Sequence, residues 1–300
     1  MSRVLVLGDV VDDISVRALQ PTTEASDTNA EIRMRPGGSA ANVAAWLGSL
    51  GVPTTFVGRV GADGAQRHAE ALAEHGVRAH LAADPDLPTA TIVLQLDDAG
   101  ERTMFTDRGA NTRLVIDDVP EAAWDGVGWV HLTGYTWFDE ATRPVARHVV
   151  ERARERGAGV SVDPSTVSFL RACGGPTFVD WVGGADLVFP NLDEARVLAG
   201  ARGPHIDLDG LARRFGAVVV TLGSMGAAYA GRSDDGVDVR EQVVAPRLDV
   251  VDTTGAGDAF AAGFLAHWLR DRSPVAALES GRAAAERCIV QLGARPPQAI

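Results

Sequence analysis

Residues 252–260 read DTTGAGDAF. Gly255, Ala256 and Gly257 carry almost no side chain and stand directly before an apolar run, AFAAGFLAHWL, that has the length of a helix. A helix that starts this way leaves its first backbone N–H groups bare, and bare N–H groups at the positive end of a helix bind an anion. Asp258 then puts a carboxylate at the rim of that anion site. A glycine-rich helix start standing alone is as often a close helix contact as a site, so the pair needs a reason. A dinucleotide fingerprint does not supply one. G-x-G-x-x-G would need a third glycine where Phe260 stands, and the first strand, VLVLGDVVDD, lacks the motif as well.

A second stretch has the same character. In PGGSAANVAAWLGSLG, Gly37 and Gly38 allow a ligand to lie against bare backbone at another helix start. Asn42, in the first turn, offers a donor and an acceptor to hydroxyl groups, although an Asn beside a buried face also bonds to local backbone. The chain has 28 basic residues and every one is Arg. Without Lys there is no Walker A loop, whose Lys reaches the β- and γ-phosphates, so any phosphate chemistry runs another way.

These residues have to be placed by a scaffold. Three hundred residues with 46% hydrophobic content allow one large α/β domain or two smaller ones. The formal net charge of −12 argues against nucleic acid as a partner. MSRVLVLGDVV shows no basic-then-apolar leader, and no apolar stretch nears the roughly 18 residues of a membrane span, which points to the cytoplasm. Cys173 and Cys288 are too few for a disulfide framework or a thiolate metal site.

Strand-like and helix-like segments alternate along the chain, the pattern of a mostly parallel sheet covered by helices. Strands are expected at 4–9, 54–60, 128–132, 158–163, 185–190 and 217–223. Val43, Trp46, Leu47 and Leu50 fall at i, i+3, i+4, i+7 of a helix over 39–51 that stops at Gly51; another is expected over 63–76. Two stretches break the rhythm. Residues 16–35 and 89–109, the latter with a DDAG turn at 97–100, read as extended strands where crossover helices belong. They are expected to pair into a small sheet standing over the carboxyl edge of the parallel strands, where ligands bind in open α/β sheets, with a decorative edge sheet as the alternative. The main body is then 1–15, 36–88 and 110–300, and apolar lid faces would allow a homodimer.

GGSAANVA with its helix, Gly51 and Gly61, together with DTTGAGDAFAAGFL, resemble both signature motifs of the ribokinase-like (PfkB) carbohydrate kinases, in their usual order. GRVGADG (58–64), GAN (109–111), FPNLDEA (189–195), VTLGSMG (220–226) and LGARP (292–296) have counterparts there too. The resemblance implies a ribokinase-like three-layer α/β sandwich with a small β-sheet lid. It implies that Asp258 is the general base that takes the proton of an attacking hydroxyl, while the Gly255, Ala256 and Gly257 N–H groups stabilise the transferred phosphoryl; N–H donors and the helix start would keep Asp258 ionised. Carboxylate and cradle then serve the two halves of one reaction. Asp13, Gly37, Gly38, Asn42 and Asn111 match substrate-binding positions, with Asp12 as the alternative to Asp13, since strand neighbours face opposite ways. Asn191 and Glu194 resemble the N-x-x-E motif that organises Mg²⁺ and phosphates partly through water; the same pair also reads as a helix capping box. Thr221, Gly223 and Gly226 resemble residues at the ATP phosphates and ribose. Asp252, the Thr254 carbonyl, Cys288 and Gly293 align with a monovalent-cation (K⁺) site of some members, from which Gln291 and Pro297 depart.

Other departures bear on the acceptor. Ser39 stands where ribokinases carry Lys, Gly134 stands where they carry a sugar-contacting Glu, and VDPSTVSFL lacks the Arg of the keto-deoxy-gluconate kinases. The resulting expectation is an ATP-dependent, Mg²⁺-requiring kinase acting on a hydroxymethyl group of a small neutral sugar. A nucleoside kinase is the alternative, for which Phe105, Tyr135, Trp137 and Phe138 are candidate walls for a base. A sugar sensor that kept the fold without catalysis is a third reading, opposed by the intact Gly255–Asp258 segment.

Overall fold

Val4 and Val6 of the first strand belong to one buried cluster, Leu5 and Leu7 to another. Successive strand residues face opposite ways, so this strand is covered on both sides, as a parallel sheet inside a three-layer sandwich requires. The computed structural model describes residues 2–21, 25–96, 102–201, 203, 205–232 and 235–297. The DDAG turn at 97–100 lies outside them.

The strands, in chain order, are β1 (Arg3–Leu7), β2 (Val11–Ala18), β3 (Ala30–Gly37), β4 (Thr54–Gly61), β5 (Val77–Asp84), β6 (Ala90–Leu96), β7 (Arg102–Asp107), β8 (Val127–Thr133), β9 (Gly159–Asp163), β10 (Leu187–Val188), β11 (Ala217–Thr221), β12 (Ala227–Arg232) and β13 (Asp238–Val243). The large sheet runs β13-β12-β11-β10-β9-β8-β1-β4-β5. It is parallel from β11 to β5, with β12 and β13 antiparallel at one edge. The chain moves outward from β1 to β4 and β5 on one side, and from β8 to β11 on the other. The order therefore reverses between β1 and β8, and the crevice beyond their carboxyl ends is the natural ligand site of such a sheet.

A separate four-stranded sheet, β3-β2-β6-β7, is formed by the two segments that broke the α/β rhythm. Its strand β2 starts at Val11, five residues before the expected start of the lid at residue 16. Asp12 and Asp13 thus belong to the small sheet and not to the end of the first strand. The main-sheet strand ends at Leu7, and Gly8, Asp9 and Val10 carry the chain across; the return of apolar residues at Val10 and Val11 hid that crossing.

Helices Ser39–Ser49 and Ala256–Asp271 pack together on one face of the main sheet, burying Trp46, Phe260 and Phe264. Both helices begin near the reversal point. Among the described residues no helix is long and apolar enough to cross a membrane.

Candidate active site

Asp258 lies in the first turn of helix Ala256–Asp271 and reaches back toward helix Ser39–Ser49. Ser39 Oγ donates to its Oδ1 at 2.7 Å and Asn42 Nδ2 to its Oδ2 at 2.9 Å. The two glycine-rich motifs, more than 200 residues apart, meet at this carboxylate. Burial pushes the Asp258 carboxyl up to about 7, with Asp9 and Asp13 adding to the rise and the Asn42 and Ser39 hydrogen bonds opposing it. The donors that favour its charged form are therefore these two side chains, where the sequence pointed to the N–H groups of its own helix start. Among the described residues the Asp258 carboxylate accepts from the neighbouring helix and not from its own helix start.

Gly255 caps the helix in the left-handed region at φ 77°, and a Cβ there would stand 2.4 Å from the Ala294 Cβ, so both conformation and space demand glycine. Ala256 N–H donates to the Thr253 carbonyl at 3.2 Å. The N–H groups of Gly255 and Gly257 make no hydrogen bond among the described residues, and space around Gly257 is open. The cradle in this state consists of the outer two of the three expected donors.

The start of the other helix differs from its sequence reading. Asp9 accepts from Ser39 N at 2.7 Å, Ala40 N at 3.2 Å and Thr133 Oγ1 at 3.0 Å. Its carboxylate thus fills the anion position that the bare backbone offered to a ligand. Gly38, at φ 98°, is there because the Asp9–Val10 backbone passes 2.6 Å from where its Cβ would be, and Gly37 because the Asp13 carboxylate occupies its Cβ position. Nothing in the spacing of VLVLGDVVDD singled out Asp9; a carboxylate just after a strand and opposite a glycine-rich helix start was the available signal.

Asp9, Asp13, Gly38, Asn42, Gly255 and Asp258 line one cavity of about 420 Å³ at the reversal point, roofed by the small sheet. Asp13 faces it. Asp12 points the other way, ion-paired with Arg67 and 3.1 Å from His68 Nε2, which ties the base of the lid to helix Ala65–Ala73. Burial raises the Asp13 carboxyl to about 6, with Asp9 adding to the rise and Arg295 opposing it. Asn42, with its amide donor on Asp258, keeps a buried Oδ1 without a partner. Asn111 also lines the cavity, but its amide clamps Val10 from both sides, donating to the carbonyl at 3.1 Å and accepting from the N–H at 3.4 Å. It holds the crossing from β1 to β2 in place.

Beyond this cavity, Asn191 pairs with Thr221 through a parallel bridge, which sets the N-x-x-E and VTLGSMG segments side by side at the carboxyl ends of β10 and β11. Gly223 and Gly226 lie in the following turn, both at positive φ. None of these five residues lines the Asp258 cavity. The capping box is fully formed: Asn191 Oδ1 accepts from Asp193 N and Glu194 N, both at 3.0 Å, and Glu194 Oε2 accepts from Asn191 N at 2.9 Å. Glu194 is buried and its carboxyl is raised by that burial. Asp163, at the end of β9, is raised by burial and by the charge of Glu194. Two buried carboxylates that repel each other fit a divalent cation with its waters, Glu194 keeping Oε1 beyond the cap. Asp163 stood in VDPSTVSFL without a pattern to mark it.

Asp252, Thr254, Cys288 and Gly293 also come together. Asp252 Oδ1 accepts from Thr254 N and Oγ1, Asp252 Oδ2 accepts from Gly293 N, and the Cys288 thiol donates to the Thr254 carbonyl. The four residues expected at a monovalent-cation site thus converge, and each of these oxygens accepts a protein donor in this state.

The walls of the cavity are of two kinds. Val11, Ile92, Leu94 and Met104 present apolar surface from the lid, with Tyr135 and Phe169 across from them, their rings edge to face at 6.2 Å. Trp137 is buried in the core, and Phe105 lies on the outer face of the lid. Phe169, which the sequence reading missed, takes their place because the short helix Val167–Cys173 follows β9 at the same edge.

The family model described as pfkB family carbohydrate kinase matches residues 1–299. The chain is 33% identical over 303 residues to an ATP-dependent ribose-1-phosphate kinase of Halopiger xanaduensis, covering 98% of this chain and 94% of that one. Among solved structures, adenosine kinase from Sinorhizobium meliloti aligns with TM-score 0.86 and 28% identity over 98% of this chain and 96% of the other. Fructokinase from Vibrio cholerae, solved with fructose, ADP and calcium ion, aligns with TM-score 0.80 and 28% identity over 98% and 94%.

Proposed function

The chain belongs to the pfkB family of carbohydrate kinases, a kinase drawing on ATP and a divalent metal, and we propose that phosphoryl transfer to a sugar hydroxymethyl group takes place in the Asp258 cavity. The observation that carries this reading is the Asp258 carboxylate, oriented by Ser39 and Asn42 at the cavity wall beside an open helix start. Asp258 takes the proton of the acceptor hydroxyl as the oxygen attacks the γ-phosphorus. Gly255 and Gly257 N–H groups receive the charge of the transferred group, and the Ala256 N–H joins them when the Thr253 bond opens. A base near pKa 7 is well matched to neutral pH, because it is substantially ionised yet still basic.

Asp13 receives two neighbouring sugar hydroxyls, and the unpartnered Asn42 Oδ1 accepts a third. Gly37 leaves room for the Asp13 carboxylate that receives the acceptor, and Gly38 for the Asp9–Val10 crossing beneath it. Thr221, Gly223 and Gly226 line the nucleotide side. Glu194 and Asp163, with Asn191 through water, would hold Mg²⁺, which when bound neutralises phosphate charge. The outer face of the lid exposes Ile32, Met34 and Phe105 by more than half, and a second copy of the chain covers it in a homodimer.

A nucleoside is the second reading. It is favoured by the apolar lid wall opposite Tyr135 and Phe169, which suits the faces of a base, and adenosine kinase is among the similar structures. ADP release measured with fructose, ribose, ribose 1-phosphate and adenosine separates the readings. A dominant rate with a sugar supports the first and a dominant rate with adenosine the second; no ADP release with any acceptor class would sink both.

A further inference from the structure

The cavity is crowded with negative charge: Asp9, Asp13, Asp107, Asp252 and Asp258 all line it. The reading above brings the γ-phosphoryl of ATP into this place. Phosphoryl transfer spreads negative charge over three equatorial oxygens, and two or three backbone N–H groups supply only partial positive charges against it. The sequence has no Lys to help.

Two guanidinium groups share the wall, Arg35 and Arg108. Arg108 is already held, donating to Asp139 Oδ2 at 3.3 Å and to the Tyr135 carbonyl at 2.9 Å. A third, Arg295, lies behind the wall with Nη2 on the Gly37 carbonyl at 3.3 Å. The Arg35 guanidinium makes no hydrogen bond or ion pair with any described residue. Its Cδ, Nε and Nη1 lie over Gly293, 3.2–3.8 Å from where a Cβ would stand there. The next residue, Ala294, is the one packed against Gly255. The unpaired cation of the cavity thus stands beside the start of helix Ala256–Asp271, on the cradle side. Arg35 and Arg108 belong to the two outer strands of the lid or their ends, with backbones three strand spacings or about 14 Å apart.

We propose that Arg35 is a catalytic residue that closes onto the phosphoryl group during transfer, an inference that rests on the assignment of this cavity to phosphoryl transfer. Strand β3 runs from Arg35 directly into Gly37 and Gly38, and Arg35 is the register partner of Asp13 on β2, so both side chains leave the same face of the lid. One closing movement brings the acceptor-binding carboxylate and the phosphoryl-binding guanidinium to the reacting pair. In the transfer, the bond from the acceptor oxygen to the γ-phosphorus forms, the bond to the ADP oxygen breaks, and the proton passes to Asp258. Arg35 exchanges no proton; its planar fork faces two phosphoryl oxygens.

The test compares wild type, Arg35→Met and Arg35→Lys. Met keeps the aliphatic stem over Gly293, and thermal melts confirm that each variant is folded. With the four acceptors named above, Arg35→Met is expected to lower kcat about 10²–10³-fold, the scale of losing a donor to transition-state charge. Acceptor KM stays within about threefold, and Lys restores about tenfold of the loss, since it returns charge without the fork. Calorimetry adds a readout independent of turnover. Aluminium fluoride, a mimic of the phosphoryl in flight, tightens Mg–ADP binding in wild type in the presence of acceptor; this tightening is lost in Arg35→Met while ADP alone binds equally. Wild-type-like kcat and tightening in folded Arg35→Met would overturn the proposal. So would a loss confined to the KM of ribose 1-phosphate, which would make Arg35 a clamp for an acceptor anion. Absence of tightening in wild type with every acceptor would instead bring down the phosphoryl-transfer assignment itself.

Discussion

Removing the Ser39 hydroxyl shifts the pH at which the enzyme works. Burial drives the Asp258 carboxyl up to about 7, and the bonds from Asn42 and Ser39 restrain it. A hydrogen bond to a charged group contributes about 1.5–3 kcal/mol, equivalent to roughly one to two pKa units, and water entering the open cavity replaces part of it. Ser39→Ala therefore lifts Asp258 by about one unit, to near 8. A general base acts when ionised, so kcat/KM falls toward acid below its pKa and is flat above it. At pH 7 wild type is about half ionised and the variant about one-tenth, a loss of roughly fivefold that grows to about tenfold at pH 6 and disappears above pH 9. The assay is initial-rate ADP release from pH 5.5 to 9.5 with a saturating nucleotide. An acid limb that stays in place in Ser39→Ala would refute this account of what tunes the base, as would a loss of equal size at every pH.

Asp13→Ala should raise acceptor KM about ten- to a hundredfold, as expected for hydroxyls deprived of a charged acceptor, while ATP affinity measured without acceptor hardly moves. Asp12→Ala should leave acceptor KM alone and lower the melting temperature, because it strips Arg67 and His68 of their partner. Glu194→Gln should raise the Mg²⁺ concentration for half-maximal rate; a change limited to about 1 kcal/mol of stability would leave Glu194 as a helix cap alone. Acceptor binding should slow amide exchange in β2, β3, β6 and β7 while β1 and β8 stay unchanged, and equal exchange with and without acceptor would remove the closing lid.

Six strands of the parallel sheet were legible as short, largely apolar runs beside glycines or polar residues, and the lid was legible because two segments lacked helical spacing; β5, VRAHLAAD, was missed because Arg78 and His80 break its apolar run at the edge of the sheet. The convergence of Ser39, Asn42 and Asp258 was legible in part. Each motif announced a helix start, but that the two starts face each other is a matter of packing between helices far apart in sequence. The join between main sheet and lid was misplaced, since Val10 and Val11 continue the apolar string of β1 although Gly8 and Asp9 have already turned the chain. Asp163, Arg35 and Phe169 carry no local pattern at all, and Asp9 only its place just after a strand. Their surroundings arise when β1, β9, β3 and helix Val167–Cys173 reach one sheet edge, a three-dimensional fact with no spacing to betray it.

Asp258→Asn, measured for both rate and stability, tests the central claim most directly. The folded protein holds the Asp258 carboxyl near 7, above the ordinary carboxylate value of 3.8. Its stabilising contribution is therefore full below about pH 4 and lost as pH rises through 7, so at pH 8 the native state bears an unfavourable buried charge. An amide has no such charge and cannot take a proton. The account predicts that Asp258→Asn melts higher than wild type at pH 8, that the difference closes toward pH 4, and that ADP release falls by about 10²–10⁴-fold or more. Near-wild-type turnover in a variant that melts at or above the wild-type temperature would contradict it.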